Sequence, residues 1–360
     1  MKQIKFIIIP VAIYTVSLAF FSSASMEAAK NALSLCASSL LPALFPFFVC
    51  SSMLISLGAA HLLSKLFSPI MKPFFGLSGS CSLAMVMGYI SGYPIGAKTA
   101  VDLYLNGNCS KSEAEKLLAF CNNSGPLFII GAVGTGMIKD PSVGVAIYIS
   151  HILSSLVVAL LMRNVPIYPL SQKKLAGKKA YTGFGEIFTD AVSSSASLTL
   201  TVCGFVVMFA ILISFIEQMG IINALASLGM NPGLCKAFIY GALECTGGCS
   251  AIIPAVKSPL FKYMLISSVI AWSGLSVHLQ VLGIIKKAKL SPKLYFKGKA
   301  LTAIISPVIS MFLFGFVWGK LQFVPFMRII VLFSTTVFAV SKTIFLLKRL
   351  YSKYSALPPR

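Results

Sequence analysis

Two apolar stretches between residues 85 and 137 are interrupted mid-span by residues that a lipid-facing helix rarely carries. They read MVMGYISGYPIGAKTA and, after a charged link, LLAFCNNSGPLFIIGAVGTGM. Ser91, Gly92 and Pro94 interrupt the first stretch, and the run Asn122–Pro126 interrupts the second. Broken backbone at membrane depth persists only where it is buried in protein or lines a polar cavity. The pattern therefore predicts a solute site built from discontinuous helices, as in transporters.

Composition supports a membrane protein. Of the 360 residues, 57% are hydrophobic and 11% are charged, and the mean hydropathy is +0.89, whereas soluble domains carry about 25% charged residues. The net charge of +21 comes from lysines and arginines grouped between apolar segments, where such residues orient helices in the bilayer. No basic stretch is interleaved with aromatic residues on a soluble module, so we expect a lipid bilayer and no nucleic acid as partner.

Chemical motifs are absent from the sequence. The nine cysteines are scattered, and the close pair Cys245 and Cys249 has no neighbouring histidine, so no zinc site is indicated. The sequence contains no HExxH motif, no phosphate-binding loop and no convincing nucleophile with its base. We therefore expect no enzyme, no catalytic residue, no metal and no cofactor.

Apolar and basic segments divide the chain into five parts. We favour an uncleaved first helix over a signal peptide that ends near Ala24, and we expect residues 61–75 and 184–195 to lie at the membrane interface. Ser110 and Glu113 predict a capping box. The parts are an N-terminal transmembrane helix with its linker (1–37), a first repeat (38–162), a cytoplasmic basic loop with an interfacial helix (163–196), a second repeat (197–319), and a C-terminal transmembrane helix with a basic tail (320–360).

The two repeats share one order of elements: a span, a glycine-rich hairpin (82–105 or 234–256), a broken span and a further span. Two basic clusters, at 163–179 and 286–299, should both be cytoplasmic, which requires hairpins that enter and leave on one side. We predict an all-α polytopic membrane protein with two inverted-topology repeats, each with a re-entrant helical hairpin and a broken transmembrane helix, and with both termini cytoplasmic. The alternative is that the glycines only allow close helix packing.

Three motifs carry a resemblance to a known family: GYISGYPIGAKTA, CNNSGPLFIIGAVGTGM and LECTGGCSAI. Over residues 41–314 the chain resembles the sporulation integral membrane proteins of YlbJ type, within the nucleoside-recognition Gate-domain superfamily. The resemblance implies a protein of the mother-cell-derived outer forespore membrane in an endospore-forming bacterium, which moves dipicolinic acid toward the spore. The wider superfamily includes concentrative nucleoside transporters, whose inverted hairpins and broken helices hold the substrate.

Candidate substrate-binding residues are taken from the breaks, the hairpin tips and their polar neighbours. They are Ser91, Gly92, Tyr93, Pro94, Asn122, Asn123, Ser124, Gly125, Glu244, Thr246, Gly247, Gly248, Ser273 and His278. The helix interruptions at the two hairpin tips are expected near Ser91–Pro94 and Thr246–Gly248. The tips should expose backbone amides, and such amides at a helix N-terminus favour an anion. The asparagines and His278 either bind the ligand or only pack between helices.

Glu244 is the acidic residue in the middle of an apolar segment, which predicts a role with a coupling cation or a proton. The alternatives are that it caps the hairpin tip or pairs with a basic residue such as Lys98. His151 lies away from both motifs in sequence, and we leave it aside.

The leading functional hypothesis is a carrier of a small anionic solute, dipicolinic acid above all, with a coupling ion and a second copy of the chain, in a homo-oligomer, as candidate partners. The alternatives are a transporter of nucleosides or related solutes and a non-transporting assembly protein of the spore envelope.

Overall fold

The computed structural model describes residues 2–168 and 183–317, which form helices and no strand. Within these residues, four helices are long and apolar enough to cross a membrane, and the number is six if each of two bent helix pairs is one span. The chain is therefore an all-α, multi-pass integral membrane protein. The predicted C-terminal helix and most of the first basic loop lie outside the described residues.

The N-terminal third contains the predicted first helix and the predicted amphipathic stretch. The latter is a short helix followed by a π-helical turn at Met71–Phe75. The helices are α1 (Lys2–Phe20), α2 (Ser22–Leu35), α3 (Leu41–Ser56) and α4 (Ala59–Ile70).

The first interrupted stretch forms a helical hairpin, as predicted. Helices α5 (Ser82–Ile90) and α6 (Ile95–Leu105) are joined by a turn at residues 91–94. The Ser110 hydroxyl accepts a hydrogen bond from the Glu113 main-chain N–H and the Glu113 carboxylate accepts one from the Ser110 N–H, which confirms the capping box at the start of α7 (Lys111–Leu117).

The second interrupted stretch is a broken helix. After α7 the chain is non-helical over residues 122–125 and continues as a π-helix, Leu127–Ile138. Helix α8 (Pro141–Leu161) then begins with Asp140 as its cap. Hydrogen bonds from the Ser142 hydroxyl and from main-chain N–H groups lower the pKa of the Asp140 carboxyl, since they favour its charged form.

The second half also contains a hairpin, a broken helix and a final span, in that order. A long helix and a short one precede the hairpin. The helices are α9 (Phe184–Gln218), α10 (Ile221–Ser227), α11 (Pro232–Leu243), α12 (Cys245–Ala255), α13 (Pro259–Trp272), α14 (Gly274–Lys287) and α15 (Lys293–Val317).

Two boundaries in the second half differ from the prediction. The expected interfacial helix at 184–195 is the start of α9, which continues without interruption for 35 residues because no proline stops it. The second hairpin is interrupted at Glu244, two residues before the interruption expected near Thr246–Gly248. Those residues form the first turn of α12, which the Glu244 side chain caps.

Buried apolar residues form two clusters, one toward each end of the molecule. The first joins the base of hairpin α5–α6 and helix α7 to the C-terminal ends of α8 and α14 and to the start of α15. The second joins hairpin α11–α12 to the N-terminal ends of α8 and α13 and to the far end of α15. The two hairpins therefore enter the molecule from opposite ends.

Hydrogen bonds at the first of these ends connect the segments next to the two basic clusters. The Lys116 ammonium donates to the Arg163 carbonyl (2.7 Å), and the Glu115 carboxylate accepts from the Ser291 main-chain N–H (2.8 Å). Residues 163 and 291 thus both lie next to α7, at one end of the molecule. This placement agrees with basic clusters that share one side of a membrane.

Candidate functional site

The tips of the two hairpins contact each other in the interior of the molecule. The Tyr93 hydroxyl, at the turn of the first hairpin, and the Cys245 thiol, at the turn of the second, share a hydrogen bond of 2.9 Å. The two residues are 152 positions apart in sequence. The two interrupted segments, which are far apart in the sequence, therefore meet at one site.

Each tip also packs tightly against the break of its own half. A Cβ atom on Gly92 would lie 2.6 Å from the Gly125 main-chain nitrogen, and one on Gly274 would lie 2.9 Å from the Glu244 Cα. Real Cβ atoms essentially never approach other atoms closer than 3.0 Å. Both contacts therefore require glycine, and both halves use the same construction of a hairpin tip against a broken helix.

A cavity of about 180 Å³, here called the tip cavity, lies where these segments meet. Much of its wall is apolar and includes Leu44, Phe47 and Phe128. Its polar wall is made by residues of both tips, of the first break and of α14: Ser91, Gly92, Tyr93, Ser124, Gly125, Glu244, Cys245, Thr246, Ser276 and Gln280. A more open cleft of about 800 Å³ shares Glu244 and Thr246 with it and extends along α12 past Gly247.

Several polar atoms at the tip cavity have no hydrogen-bond partner in the described part of the chain. They are the hydroxyl oxygens of Ser91 and Ser124 and the amide oxygen of Gln280, and all three residues are buried. A buried polar group without a partner costs free energy. An apolar cavity with a few such groups has the composition of a small-molecule site.

The Glu244 carboxylate caps α12, which is one of the roles considered from the sequence. It accepts hydrogen bonds from the Gly247 main-chain N–H (2.8 Å) and the Thr246 hydroxyl (3.0 Å) while lining the tip cavity. The alternative pairing with Lys98 is wrong, because Lys98 forms an ion pair with Asp102 (2.6 Å).

The capping contacts also correct the expected chemistry of the second tip. The Gly247 main-chain N–H donates to the Glu244 carboxylate, and the Gly248 N–H donates to the Glu244 carbonyl (3.1 Å). The sequence had suggested that these amides are exposed to an anion, but both of them donate to Glu244. The partial positive charge of this helix N-terminus is instead balanced by the protein's own carboxylate.

The first break is held by side chains from two later helices. The Ser124 main-chain N–H donates to the His151 Nε2 atom (3.0 Å), and the Lys299 ammonium donates to the Asn122 carbonyl (3.2 Å). His151 is therefore part of the site region, although its sequence position gave no sign of it. Only the fold brings His151 to the break, because α8 packs against the segment that follows the break.

Lys299 was also misassigned from the sequence. It belongs to the second basic cluster, with Lys286, Lys287, Lys289, Lys293 and Lys297, which was expected to orient helices from a cytoplasmic loop. The structure places Lys299 inside α15, where it is 2% exposed. A run of lysines that continues into a helix does not reveal which member points inward.

Other predicted residues lie near the tip cavity without lining it. Asn123 donates to the Phe120 carbonyl (2.7 Å), and the hydroxyl of Ser273 donates to the Ile270 carbonyl (3.3 Å). His278 shares a hydrogen bond of 2.8 Å with the Tyr295 hydroxyl and packs against Trp272. These three side chains have structural partners. Asn122, Pro94 and Gly248 also lie outside the wall of the tip cavity.

Comparison with known proteins identifies two similarities. A family model described as "Gate: Nucleoside recognition" matches residues 37–161, which nearly coincide with the expected first repeat. The sporulation integral membrane protein YlbJ of Bacillus subtilis (strain 168) is 31% identical over 319 residues, which cover 81% of this chain and 78% of that protein. No solved structure matches the chain.

Proposed function

Because the chain belongs to the family of the sporulation integral membrane protein YlbJ, we propose that it is a multi-pass carrier that moves a small anionic aromatic solute, dipicolinic acid, toward the forespore. Its place would be the mother-cell-derived outer forespore membrane, with both termini in the cytoplasm. The observation that carries the proposal is the tip cavity, where two hairpin tips and a helix break meet. Transporters bind their substrates at such junctions of discontinuous helices.

The walls of the tip cavity suit a single aromatic ring with polar substituents. Phe47 and Phe128 offer apolar surface for a ring, and the unpartnered Ser91 and Ser124 hydroxyls offer hydrogen bonds to its substituents. The volume of about 180 Å³ is below the range of about 300–1,000 Å³ for drug-sized ligands. A compact solute is therefore favoured over a larger one.

Inverted repeats would allow the tip cavity to open to each side of the membrane in turn, as a carrier requires. The hairpins enter from opposite ends and meet at the Tyr93–Cys245 contact. The movement of one hairpin relative to the other would then open the tip cavity toward one side at a time, which is the alternating access of secondary transporters. The open cleft along α12 supports a path from the side of the second hairpin.

Nucleoside transport is the second candidate function, since the matching family model is described as a nucleoside-recognition domain. The experiment that separates the two candidates is uptake by proteoliposomes that contain the purified full-length protein. We expect dipicolinate to enter and uridine not to enter. The reverse result would replace the proposed substrate by a nucleoside.

A gene deletion tests the proposed carrier function in sporulating cells. Deletion of the gene should lower the dipicolinic acid content of spores, and the wild-type gene should restore it. Normal spore dipicolinic acid together with defective envelope morphogenesis would contradict the carrier proposal and favour an assembly role.

A further inference from the structure

Lys299 places an ammonium group in the protein interior beside the first break. It lies six residues into α15 from Lys293, which is about 9 Å along the helix. A Cβ atom on the preceding Gly298 would lie 2.0 Å from the Ala119 carbonyl oxygen. This glycine lets α15 approach the chain just before the break closely enough for Lys299 to reach the Asn122 carbonyl.

No acidic side chain among residues 2–168 and 183–317 forms an ion pair with this ammonium. All nine acidic residues belong to these ranges. Glu244, Glu113 and Asp140 are engaged as helix caps, and Asp102, Glu115 and Glu217 pair with other lysines. A buried charge that has a single carbonyl partner is costly.

Polar groups without partners surround the same position. Neither amide atom of the buried Asn122 side chain has a hydrogen-bond partner in the described chain, although Tyr295 lies beside it. The same holds for the His278 Nε2 atom and the Ser124 hydroxyl. The ammonium is also close enough to Cys245 and Cys121 for charges on these groups to interact. Cys245 and Ser124 line the tip cavity, so this polar cluster adjoins it, while Lys299 and Asn122 themselves lie behind its wall.

We propose that Lys299 is the cationic group that recognises a carboxylate of the transported anion, with the side chain of Asn122 as a second ligand to the same group. The inference rests on the proposed carrier function and adds the residue that selects for negative charge. The second hairpin tip does not fill this role, because Glu244 already neutralises its helix N-terminus. An ammonium with unused donors and a neighbouring free amide can hold both oxygens of a carboxylate.

Lys299→Gln tests the charge with little change in packing, because glutamine keeps an N–H donor for the Asn122 carbonyl. Dipicolinate should bind the purified full-length variant at least about 30-fold more weakly than the wild type, as is usual when one partner of a buried charge pair is removed. Lys299→Arg should retain most of the binding. Lys297→Gln is the matched control, because Lys297 is exposed two residues away on the same helix.

Binding is measured by isothermal calorimetry in detergent, with dipicolinate, inorganic phosphate and the neutral pyridine-2,6-dicarboxamide as probes. The dicarboxamide keeps the ring and its substituent geometry but lacks charge, so wild-type protein should bind it at least about 30-fold more weakly than dipicolinate. This comparison needs no variant, so it tests whether the site selects for negative charge even if Lys299→Gln does not fold.

The outcomes separate this inference from the proposed function. Equal dipicolinate binding by wild type and Lys299→Gln, or equal wild-type binding of dipicolinate and its dicarboxamide, would overturn the role of Lys299 and leave the carrier intact. Lys299-dependent binding of phosphate without dipicolinate binding would retain the anion site and remove the proposed substrate. A wild-type protein that binds neither anion would overturn the inference, while uptake in proteoliposomes decides the carrier function separately.

Discussion

At the scale of single residues, the site combines one carboxylate and one ammonium that do not pair with each other. Glu244 faces the tip cavity while its oxygens cap α12, and Lys299 contacts the backbone at the first break. Charged groups inside a membrane protein are expensive and usually functional. Their separation leaves each of them available to a different part of a solute or to a coupling ion.

Glu244→Gln should reduce transport by at least about tenfold, a loss of about 1.4 kcal/mol, while protein abundance stays near normal. The amide keeps an acceptor for the Gly247 N–H but removes the charge and the titratable proton. The measurement is dipicolinate uptake per amount of protein in the membrane.

Glu217→Gln is the control for a general loss of negative charge. Glu217 pairs with Lys236 at an exposed position, where each side chain is 43% exposed, and such pairs contribute about 0–1 kcal/mol. Undiminished uptake by Glu244→Gln would assign Glu244 to capping alone.

At the scale of elements, sequence reasoning found the hairpins and the breaks because glycine, proline and asparagine mark them directly. It misplaced the second interruption by a few residues, since Thr246, Gly247 and Gly248 are as compatible with a first helical turn as with a break once Glu244 caps them. It missed His151 and Lys299 because their partners are distant along the chain. The sequence therefore predicts local interruptions of the backbone, but it does not predict contacts between helices that are distant along the chain.

Gly274→Ala should lower the stability of the protein by more than about 1–2 kcal/mol, which is the cost of a left-handed conformation for a residue with a Cβ atom. The φ angle of Gly274 is +79°, and the added methyl group would also press on Glu244. Thermal unfolding in detergent measures the effect.

Gly283→Ala, in the same helix α14, is the matched control. A Cβ atom there meets nothing within 4 Å, and its φ angle is not positive, so alanine should be neutral or stabilising. Equal unfolding temperatures for the two variants would contradict the tight packing of the second tip against its break.

At the scale of the whole molecule, the arrangement places one hairpin at each end and joins the segments beside the two basic clusters at one end. The chain is a multi-pass membrane protein, and the inverted orientation of its repeats in a bilayer remains a prediction. Composition alone predicted the membrane and the helices. The meeting of the two hairpin tips required the structure, because it depends on a contact across 152 residues.

Single cysteines introduced outside the expected spans test this topology, in a variant whose exposed Cys50 is replaced by serine. Lys289→Cys and Lys174→Cys should react with a membrane-impermeant maleimide only after the cytoplasmic side is opened. When the protein is expressed in the cytoplasmic membrane of vegetative cells, Lys139→Cys and Ser258→Cys should react from the other side in intact cells. Labelling of positions 174 and 289 from opposite sides would remove the inverted-repeat interpretation.

The contact between Tyr93 and Cys245 gives the chain a native chemical reporter. The sulfhydryl is 2% exposed and joins the two hairpins through one hydrogen bond, so alkylation must wait until the hairpins separate. The alkylation rate of Cys245 then measures how often the two hairpins separate. A solute that holds the hairpins together would lower this rate. Alkylation of Cys245 thus measures hairpin separation without an introduced cysteine.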